Sequence, residues 1–198
     1  MERIFDSVLD LVGDTPLVRL RRLGEGIDSS IYLKLEQLNP GGSIKDRIAL
    51  AMVRAAEQAG ELRPGGTIVE ATAGNTGVGL AQVAASRGYR CVFVMPDKMS
   101  GEKEHLLAAY GARIVRTRSD VPSDHPEAYK GVAARLAREI PGAWYADQFH
   151  NPENPRAHYR TTGPEIWRDT NGDVDVLVGG MGTTGTLCGG GRFLKEKR

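Results

Sequence analysis

Cysteine is nearly absent from this chain: 198 residues carry two, Cys91 and Cys188. Two isolated thiols in apolar or glycine-rich surroundings make neither a disulfide framework nor a metal-ligand cluster, so a pair of reduced structural cysteines is expected. No sign of charge dominates. Lys plus Arg number 26 against 25 Asp plus Glu, a formal net charge of +1, which gives no reason to expect a nucleic acid or an anionic membrane as partner. Long apolar runs are lacking too. Glu2, Arg3, Asp6 and Asp10 interrupt the first residues, unlike a signal peptide, and no uncharged apolar stretch approaches the ~20 residues of a bilayer span. A soluble, cytoplasmic protein is expected. No internal repeat or low-complexity tract occurs, and composition marks no domain boundary.

At 40% hydrophobic residues the chain can bury a core, as one large domain or two small ones. Its 25 glycines exceed average usage. Many stand where a short apolar run ends, the place where a strand turns into a helix. Alternation and apolar runs predict strands over 30–38, 67–71, 90–95, 112–117 and 175–178, the last one buried. Helical periodicity covers 44–58, with Gly60 as its C-cap, then 78–86, 100–110 with Ser100 as N-cap, 126–140 and 163–170, and a last helix runs toward Arg198. Residues 151–155 read as a loop rich in Pro and Asn. Strand–helix alternation argues for an α/β fold with a parallel sheet and crossover helices.

Three turns could carry chemistry. In Asn39-Pro40-Gly41-Gly42-Ser43-Ile44-Lys45-Asp46-Arg47, Ser43 and Asp46 have the spacing of a capping box, which sets Lys45 in the first helical turn. A cation there opposes the helix dipole by ~0.3–1 kcal/mol if exposed. A solvated surface lysine is the ordinary reading of such a residue. Here the Gly-Gly turn lets a ligand approach closely, and a partly desolvated amine has a lowered pKa and can condense with an aldehyde. In Glu70-Ala71-Thr72-Ala73-Gly74-Asn75-Thr76-Gly77, free N–H groups at a helix start, with Thr72, Asn75 and Thr76, suit a carboxylate. The plain alternative is an αβ loop with a Thr or Asn cap. In Gly180-Met181-Gly182-Thr183-Thr184-Gly185-Thr186, glycine N–H groups and three threonine hydroxyls suit a phosphate monoester. Gly180, Gly182 and Gly185 also match G-x-G-x-x-G, a weak pattern this far down a chain. No Gly-Lys-Ser/Thr follows, so it is no nucleotide P-loop. One pocket with a lysine, a carboxylate site and a phosphate site would serve an amino acid and pyridoxal phosphate together.

These motifs, with Thr15-Pro16-Leu17-Val18-Arg19-Leu20, resemble those of the cysteine synthase and cystathionine β-synthase family of fold-type II pyridoxal-phosphate enzymes, in the expected order along essentially the whole chain. Residues 117–129 and 147–167 look more like the cystathionine β-synthase branch. The resemblance implies a three-layer αβα fold, similar to tryptophan synthase β, with its C-terminal part missing. It implies a smaller substrate-loop domain over 41–146, and part of a larger cofactor domain from 1–40 and 147–198. Lys45 would hold pyridoxal 5'-phosphate and carry the proton at the substrate Cα. Asn75 would bond the cofactor's ring hydroxyl, and Gly182, Thr183, Thr184, Gly185 and Thr186 its phosphate. Thr72, Ala73, Gly74, Thr76 and Gln148 would bind the substrate carboxylate. No metal site is implied.

The implied reaction is β-replacement on serine, O-acetylserine or O-phosphoserine with sulfide or homocysteine, making cysteine or cystathionine. A homodimer is implied by the resemblance alone. Ala73 stands where the family usually has serine, and Thr184 where the phosphate loop often has glycine. The family's catalytic core is much longer than this chain, so truncation is expected, and this chain alone is expected to be inactive. The alternative is a homologue or fragment that has lost catalysis and kept a binding or regulatory role, for which Ala73 is the one hint. A dinucleotide-dependent enzyme using Gly180 to Gly185 would leave the Lys45 motif unexplained.

Overall fold

The computed structural model describes residues 4–98, 101–122 and 124–198, so the expected Ser100 N-cap lies outside the described residues. Two short antiparallel strands, β1 (Leu17–Arg19) and β2 (Tyr32–Lys34), precede helix α1 (Lys45–Gln58). Strands and helices then alternate through β3 (Thr67–Ala71), α2 (Asn75–Arg87), β4 (Arg90–Pro96), α3 (Gly101–Ala109), β5 (Arg113–Thr117), α4 (Tyr129–Glu139) and β6 (Ala143–Tyr145). Three helices follow: α5 (Glu153–Arg160), α6 (Thr162–Asp169) and α7 (Gly185–Lys197).

Strands β3 to β6 form one parallel sheet in the order β5-β4-β3-β6. A parallel sheet needs crossover helices and cover on both faces. Alternation supplies it. Ile68, Cys91, Phe93 and Met95 pack with Ile48 and Met52 of α1 and Leu80 of α2 in one core. Val69, Ala71, Val92 and Val94 pack with Val132 and Ala133 of α4 in a second. The result is helix, sheet, helix. Helices α1 and α2 approach closely because position 79 is glycine: a Cβ there would lie 2.9 Å from that of Ala49. The end of α1 is a Schellman motif, with Gly60 at φ +72° donating to Glu57 and Glu61 donating to Ala56.

Several expected elements differ. The strand expected over 30–38 ends at Lys34, and Glu36–Leu38 is a 3-10 turn. That turn aims the Glu36 carboxylate at Thr15, Asn39 and Arg47. Helix α2 begins three residues before the expected Val78, and α4 begins at Tyr129 where Pro126 was expected. The loop expected over 151–155 contains the start of α5. Pro152 is its N-cap and Pro155 sits in its first turn, where an N–H has no helical partner to lose. Residues 175–178 form no strand, and Val176 and Val178 are 76% and 88% exposed. An apolar run becomes a strand only beside another strand, and none lies next to it among the described residues. Among those residues no helix is long and apolar enough to cross a membrane.

The N-terminal segment, α1 and α6 are joined by one buried ionic cluster. The Arg47 guanidinium, 3% exposed, binds two carboxylates bidentately. Its contacts are 2.7 and 2.8 Å to Glu36 and 2.6 and 2.7 Å to Glu165. Lys34 Nζ adds a contact of 2.8 Å to Glu165, so two cations meet two anions. Arg47 Nη2 donates to Thr15 and Nη1 to Thr161, and the Asp14 N–H donates to Glu165. Burial opposes ionisation of Glu165, but the bonds from Arg47 and Lys34 outweigh it and hold that carboxyl at about 2. Replacing Arg47 by Met leaves two buried carboxylates short of a partner, so a loss of about 3–5 kcal/mol is expected in urea unfolding at pH 7. Loss of under 1 kcal/mol, the size of a surface pair, would contradict the buried role.

Candidate active site

The site begins with the loop that leads into α1. Asn39 Oδ1 accepts from the Gly13 N–H at 2.8 Å, and its amide donates to Glu36, which anchors the loop. The expected reciprocal box gives way to a related arrangement. Ser43 Oγ accepts from the Lys45 N–H at 3.1 Å, and Asp46 Oδ2 accepts from the Gly41 N–H at 2.6 Å. A Cβ on Gly41 would lie 2.5 Å from the Asp46 carboxylate, so a side chain there would displace that buried carboxylate from the Gly41 N–H. Lys45 is the first residue of α1 and is half-buried. No ion pair engages its amine among the described residues, and burial alone lowers its pKa.

The second turn lies where β3 and β6, remote in sequence, end side by side. Carboxyl ends of parallel strands are where α/β sheets take ligands. Thr72, Thr76 and Gln148 are buried, Ala73 and Gly74 half-buried, and Asn75 exposed. Thr76 Oγ1 donates to Gln148 Oε1 at 2.6 Å, and Gln148 Nε2 donates to Glu70 Oε1 at 3.1 Å. Thr72 Oγ1 accepts from the Gly74 N–H at 3.2 Å. The structure thus brings Thr76 and Gln148 into direct contact, while the Asn75 side chain makes no hydrogen bond among the described residues.

The third turn leads into α7. Thr183 and Thr186 are half-buried, Gly185 is buried, and Gly182 and Thr184 are exposed. Thr184 is the N-cap of α7 at φ +62°, a conformation that glycine adopts freely and a β-branched residue seldom does. Helix α7 packs on α5 through its glycines. A Cβ on Gly185 would collide with the Asn154 amide and one on Gly189 with the Pro155 carbonyl.

Helix α5 connects these parts. Asn154 Nδ2 donates to the Gln148 carbonyl at 2.8 Å and to Thr183 Oγ1 at 2.9 Å. His158, fully buried, lies 2.9 Å from Thr162 Oγ1 through Nδ1 and 3.3 Å from Thr186 Oγ1 through Nε2. Burial, with the nearby charges of Lys45 and Arg47, lowers the imidazole pKa to about 4. Sequence reasoning assigned no role to Glu70, Asn154 or His158. Glu70 carried a signal, a carboxylate inside an otherwise apolar strand. Asn154 and His158 carried the i, i+4 spacing of one helix face, hidden by the prolines around them.

Among the described residues three buried side-chain oxygens lack a hydrogen-bond partner: Asp46 Oδ1, Glu70 Oε2 and Asn154 Oδ1. Each belongs to a residue beside the lysine, the carboxylate turn or the threonine turn. The third turn contains no charged residue, and Cβ atoms on Gly180 and Gly182 would meet nothing within 4 Å. Neutral donors around open space, with a desolvated amine nearby, fit a phosphate-bearing aldehyde.

Comparisons with known proteins agree. Residues 8–198 match the family model described as pyridoxal-phosphate dependent enzyme. The chain is 51% identical over 196 residues to cystathionine β-synthase of Apis mellifera, covering 98% of this chain and 39% of that protein. It is 50% identical over 189 residues to cysteine synthase 3 of Caenorhabditis elegans, covering 95% and 55%. The crystal structure of a hydrogen sulfide-producing enzyme from Fusobacterium nucleatum matches with TM-score 0.90 and 42% identity, covering 100% of this chain and 63% of that one. The chain therefore spans less than two thirds of the length of these relatives.

Two outcomes are expected. Thr184→Gly removes the cost of a left-handed β-branched residue and stabilises the fold by ~1–2 kcal/mol in urea unfolding; destabilisation would show that the threonine side chain outweighs its backbone. Burial lifts the Glu70 carboxyl from 4.5 to about 8, with the Asp147 charge also raising it. The fold therefore holds that proton more tightly than the unfolded chain, and the associated stability declines as pH rises from 4.5 toward about 8. Asp46, raised from 3.8 to about 6, accounts for a similar decline lower down. Between pH ~6 and ~8 the urea midpoint of Glu70→Gln should fall less than that of the unsubstituted chain; parallel falls would place Glu70 outside this account.

Proposed function

The chain belongs to the pyridoxal-phosphate dependent enzyme family, and on that footing we propose that it is part of an enzyme of β-replacement. The donor is serine or an O-activated serine, the acceptor sulfide or homocysteine, and the product cysteine or cystathionine. The fold is the α/β fold of these enzymes. Residues 41–146 form the smaller substrate-loop domain in this reading, and 1–40 with 147–198 part of the larger cofactor domain. The interlocked α5, α6 and α7, and the tie of Glu165 to Asp14, support that division.

One observation carries the reading. The half-buried Lys45 amine, free of any ion pair among the described residues, shares a neighbourhood with His158, on the helix that binds both Gln148 and the threonine turn. Pyridoxal phosphate, when bound, supplies an aldehyde and an electron sink for a substrate Cα. Lys45 holds that aldehyde, and its lowered pKa suits it to take and return the Cα proton. Gly182, Thr183, Thr184, Gly185 and Thr186 hold the phosphate, and Asn75 the ring hydroxyl. Thr72, Ala73, Gly74, Thr76 and Gln148 hold the substrate carboxylate. The buried Thr76–Gln148 bond commits the Thr76 hydroxyl proton to Gln148, so in this reading Thr76 offers the carboxylate its backbone N–H and Gln148 the Nε2 proton not given to Glu70. Ala73 leaves one hydroxyl fewer beside the substrate than a serine would, so backbone N–H groups take the larger share there. A cytoplasmic homodimer completes the reading and rests on the family likeness.

In the whole protein, added pyridoxal phosphate should give an absorbance band near the visible edge, and Lys45→Ala should abolish it. Turnover should appear with serine, O-acetylserine or O-phosphoserine and a sulfide or homocysteine acceptor. A band without turnover of any such pair would retain the cofactor and reject β-replacement.

A further inference from the structure

On the reading that the threonine-rich turn takes a phosphate, we propose that Asn154 and His158 are positioning residues that commit the hydroxyl protons of Thr183 and Thr186 to that anion. The two stand one turn apart on α5, 2% and 0% exposed, with their side chains on the face that meets α7. Neither needs to touch the ligand.

The argument rests on hydrogen-bond polarity. A threonine hydroxyl has one proton and two lone pairs. If it donates to the protein it can only accept from a ligand, and a dianionic phosphate ester offers it no proton. The Asn154 amide has one orientation open to it, because its Nδ2 lies 2.8 Å from the Gln148 carbonyl, which only accepts. The second Nδ2 proton goes to Thr183 Oγ1 at 2.9 Å. Thr183 therefore receives a bond and keeps its own proton for another acceptor. Asn154 Oδ1 is turned away against Gly185, where any Cβ would collide with it.

At Thr186 the tautomer of His158 decides. The ring has two recorded partners, both hydroxyls: Thr162 at Nδ1 and Thr186 at Nε2. A neutral ring offers one N–H and one lone pair. With the proton on Nε2 the ring donates to Thr186, Thr162 donates to Nδ1, and the Thr186 proton is free. With the proton on Nδ1, Thr186 spends its proton on the ring and the turn loses a donor. Because the turn has no lysine or arginine, hydroxyl direction is a large share of what it offers beyond backbone N–H groups.

The test uses the whole protein stripped of cofactor. Pyridoxal 5'-phosphate, pyridoxal and inorganic phosphate are each titrated, and 15N NMR reads the His158 tautomer in the unsubstituted protein. Asn154→Asp removes the donor at nearly constant shape and His158→Leu removes both ring nitrogens. Both should weaken inorganic phosphate and the phosphate ester on the order of 10–100-fold and leave pyridoxal unchanged. His158→Gln, whose amide nitrogen reaches the place of Nε2, should recover most of the affinity. The NMR signal should place the ring proton on Nε2. A proton on Nδ1, or equal weakening of pyridoxal and its phosphate, overturns the proposal even if a substituted protein folds poorly. Should the unsubstituted protein bind no inorganic phosphate and prefer neither form of pyridoxal, the phosphate reading of the turn falls, and this inference with it.

Discussion

The Arg47 guanidinium is the constraint from which the candidate site takes its position. It lies two residues past Lys45 in the first turn of α1, so whatever fixes Arg47 fixes the start of that helix. Two bidentate carboxylates hold it, one from the segment after β2 and one from α6. A buried cation cannot shift toward water, and each carboxylate is similarly captive. The cluster balances in charge once Lys34 is counted, and Thr15, Thr161 and Asn39 bring hydroxyls and an amide to its edge. Such clusters add little net stability over an apolar core, but they define one geometry, since any partial rearrangement strands a charge. Here that geometry ties the start of α1, which carries Lys45, to the segment after β2 and to α6.

Helix α5 transmits the same order to the far side of the site. Its buried polar face reads one turn of chain through Gln148 and another through Thr183 and Thr186. The helix can do so because α7 comes close, and α7 comes close because Gly185 and Gly189 carry no side chain. The third glycine of the G-x-G-x-x-G pattern thus has a packing reason that owes nothing to a dinucleotide. Thr184, one residue earlier, holds the left-handed conformation that a glycine would hold at less cost, which explains how threonine and glycine can both serve at this position of the loop.

The partnerless oxygens among the described residues belong to Asp46, next to Lys45, to Glu70, just before the Thr72 turn, and to Asn154, against Gly185. Buried acceptors without donors are uncommon in folded proteins. Burial raises the proton affinity of both carboxyls, and Glu70, at about 8, is mostly neutral at pH 7 and so places little negative charge beside the turn proposed for a carboxylate.

The amino-acid sequence by itself determined the parallel α/β layering and most element boundaries within the sheet, because alternation and helical period are local signals. Thr67–Ala71 was legible residue by residue, and so was the placement of Lys45 in the first turn of its helix. Glycine, threonine and asparagine at strand ends pointed to the turns around Thr72, Asn75 and Thr183, and the family likeness alone pointed to Gln148. What only the tertiary structure decided are the pairings across distance. Arg47 and Glu165 are 118 residues apart, Asn154 and Thr183 29. Residues 175–178 read as a strand by composition, yet a strand exists only with a partner to accept its hydrogen bonds. The prolines of α5 read as a loop, yet a helix tolerates proline in its first turn when packing supports the rest. Local periodicity shows which face of an element is apolar. It does not show which other element will cover that face, and both the polar spine of α5 and the Arg47 cluster are made of such choices.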